Sequence, residues 1–269
     1  MKNKVVIITG ASSGIGLACA REFAAQGSKI VMAARSIEKL KEVENELRNN
    51  GTEVISVQTD VSKEDDCRRL IEETVQAFGK IDILINNAGI SMRANFLDVE
   101  LDVLRRLMDV NFWGTVYCTK YALPYILKEK GSVVGVSSIA GYLGLPGRTG
   151  YSSSKFAMRG FLETVRNENI GNGLHVLIVA PGFTASNVRF SALTADGSQQ
   201  GETPRKENKM MSAEEVARKM RKAIKRRKRE LILTFVEGKL TVFLNKFIPS
   251  FIARMSYEMM KKEPDSPIK

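Results

Sequence analysis

The 269-residue sequence predicts a doubly wound α/β fold, a single parallel sheet flanked by helices, with an apolar helical extension at the C-terminus. Three observations carry this. Short β-branched runs recur through the first 180 residues, at 5–9, 29–33, 53–58, 81–85, 132–136 and 175–180. Between them lie longer stretches with apolar residues three and four apart, as in Leu40, Val43 and Leu47. A glycine cluster, Gly10, Gly14 and Gly16, closes the first run and opens the first helical stretch. Repeated strand–helix–strand units of this kind pair their strands in parallel through right-handed crossovers.

The composition is ordinary for a globular chain, with 43% hydrophobic residues and enough length for one large domain. No uninterrupted apolar run reaches the ~18 residues of a spanning helix, and residues 1–9 carry no secretory leader, so a cytoplasmic protein is expected. Cys19, Cys67 and Cys118 are scattered, which predicts buried small hydrophobes rather than a disulfide frame or a metal site. The net charge of +11 is local: residues 1–203 hold 23 Lys/Arg against 22 Asp/Glu, and residues 204–269 hold 18 against 8. A basic end on a neutral body does not mark a nucleic-acid binder. No stacking aromatics interleave the charges of residues 218–229, so no nucleic-acid partner is expected.

Residues 183–208 are polar and poor in strand formers, and read as a long loop beside a substrate site, with room for a helical turn. Ser212 with Glu215 forms a capping box for a basic amphipathic helix whose apolar face is Val216, Met220 and Ile224. Residues 231–234 predict a last strand. From 240 to 260 the chain is dense in Phe, Leu, Ile and Met, broken by Pro249, and 262–269 reads as a disordered end. The expected division is a catalytic domain over 1–235 and an extension over 236–269.

The turn from Gly10 through Ala11, Ser12, Ser13, Gly14 and Ile15 to Gly16 suits a pyrophosphate. Glycines let the backbone approach without Cβ clashes, and the following helix offers unpaired N–H groups and a positive dipole end. This makes the sheet a Rossmann-type, dinucleotide-binding one. At the end of the second run, where a carboxylate would hold the ribose 2′-hydroxyl of NAD, the sequence has Ala34 followed by Arg35. A missing carboxylate removes repulsion and a guanidinium binds a 2′-phosphate, so NADP(H) is the expected cofactor and NAD(H) the alternative.

Tyr151 and Lys155 lie four apart on a predicted helix, hence on one face. A phenol titrating near ~10 exchanges protons poorly at neutral pH unless a neighbouring cation favours its ionised form. Ser138, at the carboxyl end of the fifth run, points to the crevice where such sheets bind ligands. The single histidine, His175, precedes a buried strand. Around Ser138 there is no Gly-x-Ser-x-Gly elbow, because Ile139 stands where the second glycine would be, which argues against a hydrolase.

These elements resemble the short-chain dehydrogenase/reductase family over residues 4–235. They are Thr9 to Gly16, Asp60-Val61, Asn86-Asn87-Ala88-Gly89, Asn111, Ser138, Tyr151-Ser152-Ser153-Ser154-Lys155 and Pro181-Gly182, in that order. The resemblance implies roles for each. Ser12, Ser13 and Ile15 meet the cofactor phosphates, Arg35 the 2′-phosphate, Asp60 and Val61 the adenine, and Asn87, Ala88 and Gly89 the adenosine ribose. Tyr151 is the general acid in reduction, Lys155 its partner, Ser138 the holder of the carbonyl oxygen, and Asn111 the anchor of a proton relay. Pro181, Gly182, Phe183 and Thr184 touch the nicotinamide end.

The ~35 residues after Thr234 depart from soluble relatives that end in a tetramer interface. They resemble the lipid- and steroid-oriented branch, such as the dehydrogenase/reductase member 7B group. A hydrophobic carbonyl or secondary-alcohol substrate is the expectation; a small soluble ketone, an acyl thioester or a silent dinucleotide sensor are the alternatives. A homodimer or higher homo-oligomer is expected. Leu240, Phe243, Leu244, Phe247, Ile248, Phe251, Ile252 and Met255 recur at helical spacing. Two readings stay open: a helix packed on the body or a subunit, or a flap beside the cleft resting on a membrane surface, aided by the basic helix before it.

Overall fold

The structure, a computed structural model, describes residues 1–182, 184, 191–201, 210–263 and 266–268. Among them seven strands form one parallel sheet: β1 (Val5–Thr9), β2 (Lys29–Ala34), β3 (Val54–Gln58), β4 (Ile83–Asn86), β5 (Ser132–Val136), β6 (His175–Ala180) and β7 (Glu230–Ile232), in the order β3-β2-β1-β4-β5-β6-β7. The order reverses at β1, between β2 and β4, so loops leaving β1 and β4 diverge and open a crevice at their carboxyl ends. Each predicted run is realised, with ends moved by one or two residues. The last strand is β7, 230–232 rather than 231–234, because Thr234 takes a left-handed backbone (φ 66°) that cannot continue a ladder.

The central strands are buried on both sides, which is why they read as continuous Val/Ile runs rather than alternating ones. On one face α1 (Gly14–Ala24), α2 (Ile37–Asn49) and a basic helix (Ala213–Lys225) pack Phe23, Leu40, Val216 and Met220 against Val6 and Ile8. On the other, α3 (Glu64–Phe78), a helix at 114–128 and a long helix (Thr149–Glu168) pack Leu70, Ile126 and Leu162 against Ile7 and Val133. Phe23 has no exposed surface; its loss to Ala would cost about 3–5 kcal/mol. All three cysteines are buried and free.

Chain from Leu101 to Lys128 is one helical rod: α4 (Leu101–Leu107), a wider π turn (Met108–Trp113), then α5 (Gly114–Lys128). The helix at Thr149–Glu168 is α6 and the basic one at Ala213–Lys225 is α7. Ser212 caps α7 as expected, its hydroxyl accepting from the Glu215 N–H at 3.2 Å.

Beyond β7 the chain makes a second π turn (Phe235–Leu240), α8 (Thr241–Leu244) and α9 (Pro249–Lys261), with Pro249 at the first helical position, where its missing N–H costs nothing. The end of the chain differs from the disordered expectation. Among 266–268, Pro267 packs against Gly147, because a short apolar ring finds a flat glycine surface there. Of the loop expected over 183–208, residues 191–201 form a tight turn, closed by the Thr194 N–H donating to the Ser198 carbonyl at 2.9 Å. Residues 183, 185–190 and 202–209 lie outside the described ones. No helix of the described residues is long and apolar enough to cross a membrane.

Candidate active site

The glycine turn is held from both sides. Gly10 has φ 66°, and a Cβ there would stand 2.9 Å from the Ala88 Cα. A Cβ on Gly16 would collide with the Gly10 carbonyl and with the Asn87 amide at 2.6 Å, so the first turn of α1 can lie this close to β1 only as glycine. The Ser13 side chain does not cap α1, which leaves the helix N-terminus open toward the crevice.

Asn87 lines the cavity beside the turn. Its amide donates to the Thr9 carbonyl at 2.9 Å and the Gly10 carbonyl at 3.3 Å, fastening the turn. The Thr9 hydroxyl accepts from the N–H groups of Asn87 and Ala88, both at 3.0 Å. Thr9 is a site residue that the sequence marks only by its place before the glycines.

Ala34 and Arg35 end β2 as expected. Arg35 is exposed at the crevice rim, and Ser36 and Lys39 line the same wall. Lys39, four residues beyond Arg35, is a second cation on this wall that spacing alone could have flagged. Asp60 accepts from the Ser62 hydroxyl at 2.7 Å and backbone at 3.1 Å, fixing the turn after β3; Val61 packs on Gly114.

Asn111 sits in the first π turn with no exposed surface. Its side-chain oxygen accepts from the Ile90 N–H at 2.8 Å, and its amide donates to the Ile90 carbonyl at 3.0 Å and the Ser154 hydroxyl at 2.9 Å. The side chain therefore clamps the loop after β4 to α6, and the widened turn is what aims it inward.

Ser138 ends the loop after β5 and Tyr151 and Lys155 rise from the start of α6, all three on one cavity. The Lys155 ammonium lies 5.8 Å from the Tyr151 ring centre and donates to the Val136 carbonyl at 2.9 Å. Burial pushes the Tyr151 phenol up from its ordinary range, and Ser138 and Arg148 pull it back. Burial also lowers Lys155 from 10.5 to about 8. Gly89 fits between Asn111 and Lys155, where a Cβ would stand 3.0 Å and 3.3 Å from their polar atoms.

Gly182 faces Thr234 across a gap that a Cβ would close to 2.8 Å, and the Thr184 hydroxyl donates to the Gly182 carbonyl at 3.2 Å. Phe183 lies outside the described residues. His175 is structural: its ring bonds Ser132 at 2.9 Å and the Lys228 carbonyl at 2.8 Å, at the edge of the sheet away from the cavity.

One cavity of about 1320 Å³ takes in the glycine turn, Arg35, Asn87, Ser138, Tyr151, Lys155 and Pro181. That exceeds the ~300–1,000 Å³ of common ligand pockets and suits two ligands side by side. Its far wall comes from the C-terminal segment, with Val236, Phe251, Ile252, Met255, Met259 and Met260. The segment's outer side is also apolar: Phe243 and Phe247 are 57% and 68% exposed. The basic stretch after α7 is elsewhere. Arg227 donates to the carbonyls of Lys130 and Gly173, just ahead of β5 and β6, whereas the segment starts at the carboxyl ends. The length of β6, roughly 17 Å, separates them. Arg227 and the start of the apolar segment therefore lie at opposite ends of β6, although they are neighbours in sequence.

Residues 4–196 match the family described as short chain dehydrogenase. The chain is 34% identical to mouse (Mus musculus) dehydrogenase/reductase SDR family member 7B, over 99% of this chain and 84% of that protein. It is 44% identical to Arabidopsis thaliana 11-beta-hydroxysteroid dehydrogenase 1A over 69% of this chain and 53% of that one. Among solved structures it resembles an alcohol dehydrogenase from the archaeon Thermococcus sibiricus complexed with 5-hydroxy-NADP, at TM-score 0.75 and 25% identity, over 86% of this chain and 96% of that one. A short chain dehydrogenase/reductase from Burkholderia phymatum in complex with NAD superposes at TM-score 0.78 and 24% identity, covering 100% and 98%, and shares the fold.

Proposed function

Since the chain belongs to the short-chain dehydrogenase/reductase family and is an oxidoreductase of that type, we propose that it is an NADP(H)-dependent enzyme interconverting a carbonyl and a secondary alcohol on a hydrophobic, lipid-like substrate. The observation that carries this is the meeting of Ser138, Tyr151 and Lys155 on one cavity with the glycine turn and Arg35.

The residues present fit a dinucleotide. The uncapped start of α1 and the cradle at Gly10 and Gly16, which any Cβ would fill, suit a pyrophosphate, and Arg35 with Lys39 suits a 2′-phosphate. A nicotinamide held there would supply or accept the hydride. As hydride reaches a carbonyl carbon, negative charge grows on oxygen; the Ser138 hydroxyl donates a hydrogen bond to it and the Tyr151 phenol delivers the proton. The Lys155 charge favours the tyrosinate left behind, and Asn111 holds Ile90 and Ser154 so that α6 keeps its place.

The apolar far wall supports a lipid-like substrate, as does the likeness to a hydroxysteroid dehydrogenase. The exposed outer side of the same segment supports peripheral contact with a membrane, with Lys239, Lys246, Arg254, Lys261 and Lys262 supplying the positive charge rather than the stretch after α7. Trp113 and Phe156, each 43% exposed on adjoining helices, support a homodimer through the α5–α6 side.

A panel of apolar and small polar ketones with NADPH and with NADH, followed by loss of nicotinamide absorbance, tests this reading. Turnover restricted to small polar ketones favours the soluble-substrate alternative. Tight NADPH binding without any turnover favours a dinucleotide sensor.

A further inference from the structure

Arg148 has no part in the roles carried over from the family, yet it stands three residues before Tyr151 and lines the cavity. Its guanidinium donates to the Ser91 hydroxyl at 2.8 Å and to the Met92 carbonyl at 2.7 Å. Residues 91–94 form a strap that continues directly from Gly89. Met92 is fully buried and its sulfur accepts from the Gly150 N–H at 3.3 Å, while the Ala94 N–H donates to the Gly147 carbonyl at 3.1 Å. Arg93 and Ser91 in turn exchange backbone bonds with Leu193, both at 2.8 Å. The strap thus joins the loop after β4, the first turn of α6 and the turn at 191–201; of its two cations, Arg93 pairs with Glu263 at 3.4 Å and Arg148 lines the cavity.

Helix stability does not explain this cation. Arg148 occupies the N-cap position of α6, where its carbonyl accepts from the Ser152 N–H at 2.8 Å, and a positive side chain there opposes the positive end of the helix dipole. Both fields point the same way for an anion at the start of α6, and the group placed there is the Tyr151 phenol.

We propose that Arg148 is a positioning residue of this site: it fastens the strap to α6 and sets a permanent positive charge beside the Tyr151 phenol. The inference rests on the reading of Tyr151 as proton donor and adds a division of labour between two cations. Burial lowers Lys155 to about 8, so its charge fades above neutrality, whereas a guanidinium keeps its charge throughout. Other charged groups face the cavity: Arg106 from α4, Asp109 from the π turn, Glu237, Arg254, Glu258, Lys262 and Glu263 from the C-terminal segment, and Arg35, Lys39 and Asp60 beside the glycine turn. Ser138 and Arg148 act against burial on the phenol, and the Lys155 ammonium lies 5.8 Å from its ring centre.

The test is the ultraviolet titration of Tyr151 in the protein saturated with NADP⁺, taken as the difference from Tyr151→Phe. It reads the phenol whether or not a substrate is known, so its failure is separable from failure of the proposed reaction. Arg148→Gln keeps a donor and removes the charge; its tyrosinate midpoint should move up, while Arg148→Lys should restore the midpoint toward wild type. An unchanged midpoint in a folded Arg148→Gln overturns the proposal. So does a midpoint in Arg148→Lys that follows the Gln variant, since strap geometry alone would then account for both. If Arg148→Gln fails to fold, the Lys variant decides alone: a midpoint near wild type supports the fixed charge, and one raised well above it refutes it.

Discussion

Lys155 donates its ammonium to the main-chain carbonyl of Val136 at 2.9 Å, so the cation beside Tyr151 is anchored to the strand that leads into Ser138. Strand β5 and helix α6 thereby set each other's distance. The hydroxyl that would hold a carbonyl oxygen and the phenol that would protonate it are thus tied to one strand and one helix that this bond joins.

That tie sets the first expectation. Tyr151→Phe removes the proton donor and one oxygen, leaving α6 and the glycine turn as they are. Steady-state turnover should fall about 10²-fold or more, with NADPH affinity near wild type by fluorescence titration. Turnover close to wild type would remove Tyr151 from the mechanism.

The proposed preference for NADP(H) rests on Arg35, exposed where β2 ends in Ala34 instead of a carboxylate. Arg35→Ala should weaken NADPH by about 10- to 100-fold, equivalent to a charge-assisted contact of about 1.5–3 kcal/mol, and leave NADH unaltered. Equal weakening of both cofactors would place Arg35 outside the 2′-phosphate site.

The buried lysine makes a signed prediction about stability. Its folded-state value of about 8 lies below the ordinary 10.5, so between these the unfolded chain binds the extra proton. Below 8 the burial penalty is fully present, and it is relieved as pH rises toward 10.5, by up to about 3 kcal/mol. Lys155→Met has no such penalty. Urea unfolding of both proteins should show wild type gaining on the variant from pH 7 to pH 10, while the other titrations cancel in the difference. A gap that stays constant with pH contradicts the lowered value.

The C-terminal segment carries the fourth expectation. Phe243→Ser with Phe247→Ser alters exposed side chains, so melting should change little while co-sedimentation with anionic phosphatidylserine vesicles is lost. Replacing the arginines at 226, 227 and 229 by Gln should leave vesicle binding intact, since they lie at the opposite edge of the sheet. Vesicle binding lost with the arginines and kept without the phenylalanines would reverse the assignment of the membrane face.

Much of this arrangement is legible in the residues. Fully buried parallel strands must be short and β-branched, and Val5 to Thr9 or Val133 to Val136 announce themselves for that reason. Ser212 before Glu215, and Tyr151 four residues before Lys155, are local spacings that need no knowledge of the rest of the chain. What the sequence hides is long-range. Arg226 and Phe235 are nine positions apart, yet β7 carries the chain across the sheet between them, and a three-residue strand leaves almost no pattern. Nothing local shows that the Asn87 amide is consumed by the carbonyls of Thr9 and Gly10. Arg148 escapes notice because its partners, Ser91 and Met92, are more than fifty residues away.

The π turn around Asn111 gives the rod from Leu101 to Lys128 one residue more than a regular helix of the same turns would hold. Deleting a single residue between 108 and 113 would let the turn relax to a regular α-helix, at about 100° per residue. Val103 and Leu107 before it would still face inward together with Cys118, Ala122 and Ile126 behind it. What the deletion removes is the wide turn that aims Asn111 between Ile90 and Ser154. Shortening the rod by one residue should therefore spare the fold and cost the site.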